Sequence, residues 1–172
     1  FIANPNNPTG TFLPAAAIEA FINKVPAHVA VVVDEAYNEY LEPHLRIDSS
    51  QWVRKYPNVI VSRTLSKAYG LAGLRVGFAL AQPQVTDLMN RVRQPFNVNS
   101  LAQAAAVAAI TDDEFLQRSY EVNRQGLLML QAAFERLKLE YVPSYGNFVL
   151  VKVGDAQAVF NRLLRAGVIV RP

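Results

Sequence analysis

The stretch RTLSKAYGLAGLRVGF, residues 63–78, sets one lysine, Lys67, behind two hydroxyls, Thr64 and Ser66, and eight positions ahead of Arg75. An amine so placed can add to an aldehyde, while hydroxyls and a guanidinium can hold an anion such as phosphate. Upstream, Asn7 follows FIA, and Asp34 and Tyr37 follow the apolar run AVVV. Each lies where a strand should end, and open α/β sheets bind ligands beyond the carboxyl ends of their strands. Glu35 is a rival to Asp34, but strand alternation should turn the two acids in different directions. The set lacks the histidine pairs and acid clusters of metal hydrolysis and the second carboxylate of a glycosidase. His28 precedes a strand and His44 sits in a proline-flanked loop, so a Ser-His-Asp arrangement has no histidine in place.

These groups need a scaffold, and the apolar patterning supplies one. FIA at the start reads as a strand. HVAVVVDEAY (28–37) and NVIVSRT (58–64) read as buried parallel strands with polar tips, and LRVGFALA (74–81) is a third apolar run. LPAAAIEAFINKV, with Ile18, Phe21, Ile22 and Val25 at helical spacing, and SSQWVRKYP, stopped by Pro57, read as helices between them. Strands alternating with helices indicate an α/β layer architecture. From PQVTDLMNRVR onward the chain reads as largely helical. Thr111 and Glu114 form a capping-box pattern at the start of a long amphipathic helix. Then FVLVKVG reads as a strand, DAQAVFNRLLRAG as a helix ended by Gly167, and VIV as a last strand. The change of pattern near Pro95–Asn99 divides the chain into 1–97 and 98–172.

The totals exclude several classes. An apolar fraction of 51% supports a sizeable core, and no apolar run reaches the ~18 residues of a membrane span. Without cysteines there are no disulfides and no thiolate metal sites, and with no secretory signal the default is the cytoplasm. A net charge of +3 with dispersed Lys and Arg suits small anions better than nucleic acid.

An amine near hydroxyls and an arginine, with an isolated carboxylate opposite, describes a pyridoxal 5′-phosphate site: amine to aldehyde, carboxylate to ring nitrogen, hydroxyls and guanidinium to phosphate. The segments NPNNPTG, VVVDEAYNEY, SRTLSKAYGLAGLRVG and QPFNVNSLAQAAAVAAI together resemble fold-type I aminotransferases, most closely histidinol-phosphate aminotransferases. The resemblance covers essentially the whole chain. It implies that residues 1–97 belong to a large, mainly parallel-sheet domain and 98–172 to linking helices and part of a small α+β domain.

The resemblance also implies roles. Lys67 matches the Schiff-base lysine, which moves a proton between the substrate α-carbon and cofactor C4′. Asp34 matches the partner of the pyridine nitrogen. Tyr37 and Asn7 match groups bonded to the cofactor's phenolic oxygen, which favour its anion. Thr64, Ser66 and Arg75 match phosphate ligands. Asn147 resembles a position near the substrate, although a strand-entry asparagine explains it equally. Arg171 matches the arginine of a V-x-V-R-P strand that faces a substrate phosphate.

The implied reaction is transamination of L-histidinol phosphate with 2-oxoglutarate, giving glutamate, in a cytoplasmic homodimer with no nucleic-acid or membrane partner. Sister enzymes share the same motifs: aromatic or other amino-acid aminotransferases and threonine-phosphate decarboxylases. An aminotransferase-like sensor domain of a transcriptional regulator and a catalytically silent binding module are the readings from other classes. The ends, FIANPNN and GVIVRP, read as an internal piece of a longer protein. The family's phosphate-capping helix start and ring-stacking aromatic are expected before Phe1, and its carboxylate-binding arginine after Pro172. The isolated piece is therefore expected to be inactive or nearly so.

Overall fold

The computed structural model describes residues 1–172. Four strands, β1 (Ile2–Ala3), β2 (Val31–Asp34), β3 (Val59–Thr64) and β4 (Gly77–Leu80), form one sheet in sequence order. The first three are parallel and β4 runs antiparallel to β3. The α/β class expected from the pattern is thus present as a mixed sheet. Helices α1 (Ala15–Ile22) and α2 (Ser50–Lys55) lie in the two parallel crossovers. Val31, Val33, Val59 and Val61 alternate onto one face and pack there with Ile18, Ile22, Trp52 and Val53. Ile18 is 2% exposed, and truncating it to alanine costs about 2–5 kcal/mol.

The same alternation carries the strand tips. Asp34 is the register partner of Ser62, and Thr64 that of Gly77, and the even-numbered Asp34, Ser62 and Thr64 share the face opposite the core. A Cβ on Gly77 would lie 2.6 Å from the Arg63 carbonyl oxygen, so glycine is what lets β4 close on β3 beside Thr64.

The second half holds α3 (Pro83–Val92), α4 (Ser100–Ile110), α5 (Asp113–Arg136), the antiparallel pair β5 (Tyr141–Val142) and β6 (Leu150–Val151), and α6 (Ala156–Arg165). The small side chains of α4 seat the loop after β3: Leu65, Val76 and Ala102 form a second buried cluster. α4 starts at Asn99, whose side chain accepts from Ala102 N at 2.8 Å.

Three expectations need correction. The cap of α5 is Asp112, accepting from Phe115 N at 2.9 Å, while the Thr111 hydroxyl bonds back to Ala108 O at 3.1 Å and closes α4. A carboxylate next to the free N–H groups outcompetes a hydroxyl one residue earlier. Residues 168–170 form no strand. They are β-branched but find no partner ladder and remain exposed. Of FVLVKVG only Leu150–Val151 is paired, with β5, which the pattern had not suggested. No helix is long and apolar enough to cross a membrane.

Candidate active site

Asn7 lies in a turn just after β1, closed by Gly10 N to Asn6 O at 2.7 Å and Asn6 N to Thr11 O at 2.8 Å. The Asn7 side-chain amide donates to Tyr37 Oη at 2.7 Å, across 30 residues of sequence. Tyr37 follows β2 and is 6% exposed, so its ring is held while its hydroxyl is addressed from one side. Lys67 Nζ stands 5.6 Å from the centroid of that ring, and Phe148 meets the ring edge-on at 5.3 Å and 78°.

Lys67 itself is exposed, between Leu65 and Ala68, which are 1% and 2% exposed. Its neighbours anchor the loop while its own amine has neither a hydrogen-bond nor an ion-pair partner in the protein, which leaves it available to react. The Thr64 hydroxyl accepts from Ser66 N at 3.1 Å and shapes the turn that presents Lys67. Arg75 occupies the left-handed region at φ 54, a conformation that costs a non-glycine residue on the order of 1–3 kcal/mol. In return its guanidinium folds back over the loop, donating to Ala72 O at 3.0 Å and to Ser66 Oγ at 3.5 Å. Thr64, Ser66 and Arg75, whose groups have the chemistry to hold an anion, are thereby linked by hydrogen bonds around the loop that carries Lys67.

Asp34 is half-buried at the tip of β2, and its Oδ1 accepts from Ala36 N at 3.1 Å. Glu35 turns the other way. It is 3% exposed and pairs with Arg63, Nη2 to Oε2 2.7 Å and Nε to Oε2 2.9 Å, while Ser49 Oγ donates at 2.9 Å. Glu35 is therefore engaged in the core, whereas the second carboxylate oxygen of Asp34 has no partner in the protein. Nearby, burial pushes the Glu39 carboxyl above its ordinary range, with Arg63 and Arg46 only partly opposing it.

Two predicted residues make no hydrogen bond with this cluster. Asn147 is exposed and lines an open cleft of about 430 Å³ with Tyr40, Arg118, Ser119 and Asn123. Burial raises the Tyr40 phenol there, opposed by hydrogen bonding from Ser119 and Asn147. Arg171, next to the last residue of the chain, is exposed and without a side-chain partner. Residues that patterning missed are Arg63, at the start of the RTLSKAYG stretch, and Phe148. For Arg63 the usable signal was alternation, which puts it on the same face as Glu35.

The comparisons with known proteins agree on one family. The model for aminotransferase class I and II matches residues 1–172. A histidinol-phosphate aminotransferase of Cupriavidus pinatubonensis is 68% identical over 176 aligned residues, covering 100% of this chain and 47% of that protein. One from Ralstonia nicotianae is also 68% identical, with the same shares. The crystal structure of histidinol-phosphate aminotransferase from Sinorhizobium meliloti in complex with pyridoxal-5′-phosphate superimposes with a TM-score of 0.92 at 34% identity, over 98% of this chain and 47% of that one. Aspartate aminotransferase from Thermus thermophilus with maleate gives 0.84 at 28% identity, over 99% of this chain and 47% of that one. The chain spans about half the length of the curated relatives it matches. Its sheet and helices are those of fold-type I enzymes, and the chain belongs to the class I and II aminotransferase family.

Proposed function

We propose that this chain carries the lysine-bearing half of a pyridoxal-phosphate-dependent aminotransferase that acts on L-histidinol phosphate with 2-oxoglutarate. The observation that carries the chemistry is the convergence of Asn7, Tyr37 and Lys67, with Tyr37 Oη bonded at 2.7 Å and the Lys67 amine 5.6 Å from the Tyr37 ring. The donor set fits the cofactor: one carboxylate, one phenol, one free amine and a hydroxyl–guanidinium cradle. When bound, the cofactor supplies an electron sink for the substrate's α-carbon.

Lys67 would offer its amine to the cofactor's aldehyde and would hold and move a proton at the substrate's α-carbon. Asp34, with Oδ1 committed to Ala36 N, pairs with the protonated ring nitrogen through its other oxygen. Because Asn7 donates to Tyr37 Oη, the phenol's O–H would be free to donate a hydrogen bond to the cofactor's phenolic oxygen and favour its anion. Thr64, Ser66 and Arg75 hold the phosphate, with the guanidinium already over the loop. Asn147 and Arg171 are proposed as substrate-side polar groups.

The substrate assignment rests on relatives named histidinol-phosphate aminotransferase at 52–68% identity across the chain. The division into 1–97 and 98–172, a homodimer in the full-length protein and a cytoplasmic location belong to the same reading. It is tested on the full-length protein with bound cofactor, by following loss of the cofactor's visible absorbance on adding amino donors. Fast, selective loss with histidinol phosphate is expected. Selective loss with aspartate, phenylalanine or threonine phosphate instead would move the protein to a sister activity.

A further inference from the structure

We infer that the loop 143–148 is a positioning element for the proposed site, acting through Phe148 on Tyr37; this rests on the reading of Tyr37 given above. The loop belongs to the second half of the chain yet is fixed to the first at three points. Tyr145 N donates to Gly10 O at 2.8 Å, and the Tyr145 ring lies against Phe12 at 5.2 Å. Phe148 abuts the Tyr37 ring at 5.3 Å. On the side away from the sheet, Asn123 of α5 donates to Gly146 O at 3.0 Å. The loop therefore bridges α5 to both members of the Asn7–Tyr37 pair: to the turn that carries Asn7 and to the ring of Tyr37.

Two glycines make this approach feasible. Gly10 has φ +76, and a Cβ on it would collide with the Ser144 hydroxyl. A Cβ on Gly146 would lie 2.9 Å from Phe148 Cε1, so any larger residue there displaces the ring that touches Tyr37. With its ring braced by Phe148 and its hydroxyl held by Asn7, Tyr37 has one orientation. Without the brace the ring gains freedom and the hydroxyl loses its aim at the cofactor's phenolic oxygen. The titratable groups facing Tyr37 are the Lys67 amine and the Tyr40 phenol, whereas Asn7 and Phe148 bring no charge. Phe148 touches no reacting atom in this scheme and acts only through Tyr37.

The test uses the full-length holoenzyme and the variants Phe148→Leu, Phe148→Tyr and Gly146→Ala, with Tyr37→Phe as reference. The readouts are the pH midpoint of the bound cofactor's absorbance change and kcat against KM. Phe148→Leu and Gly146→Ala are expected to raise the midpoint in the same direction as Tyr37→Phe. A rise of about half to one pH unit, with kcat down about two- to tenfold and KM little changed, corresponds to one weakened hydrogen bond. Phe148→Tyr, which keeps an aromatic edge, should titrate like the wild type. The inference is overturned if Tyr37→Phe moves the midpoint while Phe148→Leu and Gly146→Ala do not. A wild-type protein with no cofactor band overturns the proposed function, and this inference with it.

Discussion

Lys67 owes its readiness to its neighbours: Leu65 and Ala68 are buried, so the loop is pinned on both sides of an exposed amine. Replacing Lys67 with alanine should lower kcat of the full-length enzyme by at least about 10²-fold, the lower end of what general acid–base catalysis contributes, with more lost because the nucleophile goes too. Circular dichroism should stay unchanged, since an exposed side chain holds no packing. Arg75 differs, because its strained backbone serves the direction of its side chain. Arg75→Lys removes the fork, and titration with pyridoxal phosphate should show binding weaker by about tenfold or more. Both residues were legible in the sequence, because their partners Thr64 and Ser66 lie within eleven positions of them. Phe148 was not, since its contact with Tyr37 joins positions far apart in the chain. Asn147, its neighbour in sequence, lines the open cleft beside Tyr40.

At the scale of elements, period-two alternation in β2 and β3 sorts the charges. Asp34, Ser62 and Thr64 lie on the sheet face opposite the core, and Glu35 and Arg63 lock together on the other. Arg63→Ala would leave the buried Glu35 without its counter-charge and with only the Ser49 hydroxyl as partner, and urea unfolding should show a loss of about 3–5 kcal/mol. Glu39 acts in the other direction. Burial raises its carboxyl above the ordinary 4.5, so the unfolded chain gives up this proton at a lower pH than the folded one. The folded state therefore loses stability as pH rises from that ordinary value through the raised one. Glu39→Gln should accordingly raise the melting temperature at pH 7 relative to wild type, with the gain shrinking toward pH 4. Alternation made the division between Asp34 and Glu35 readable beforehand. It could not supply long-range pairing: β5 and the unpaired residues 168–170 depend on which strands meet, not on propensity. The shift of the α5 cap from Thr111 to Asp112 is a competition between adjacent acceptors that spacing alone does not resolve.

For the whole molecule, only 22 of 172 residues are buried, and large apolar side chains such as Leu88, Val92, Phe96, Val122 and Met129 stay exposed. Faces of that kind mark surfaces that other protein covers, in keeping with a chain that spans about half of its relatives. Expressed alone, the 172-residue chain should bind a hydrophobic dye strongly and show transaminase activity far below that of the full-length protein. Turnover at full-length rates would contradict this. The α/β class was readable because buried strands and amphipathic helices alternate in the first half. The arrangement of the second half was less so, because apolar side chains of its helices such as Leu88, Val92, Val122 and Met129 stay exposed in this chain.

The most direct measurement is borohydride reduction of the full-length protein with pyridoxal phosphate, followed by peptide mass mapping. The predicted result is the reduced cofactor attached to Lys67 and to no other lysine. An adduct on Lys24, Lys55, Lys138 or Lys152 with Lys67 unmodified, or no adduct at all, would contradict the assignment of Lys67 on which the proposed chemistry depends.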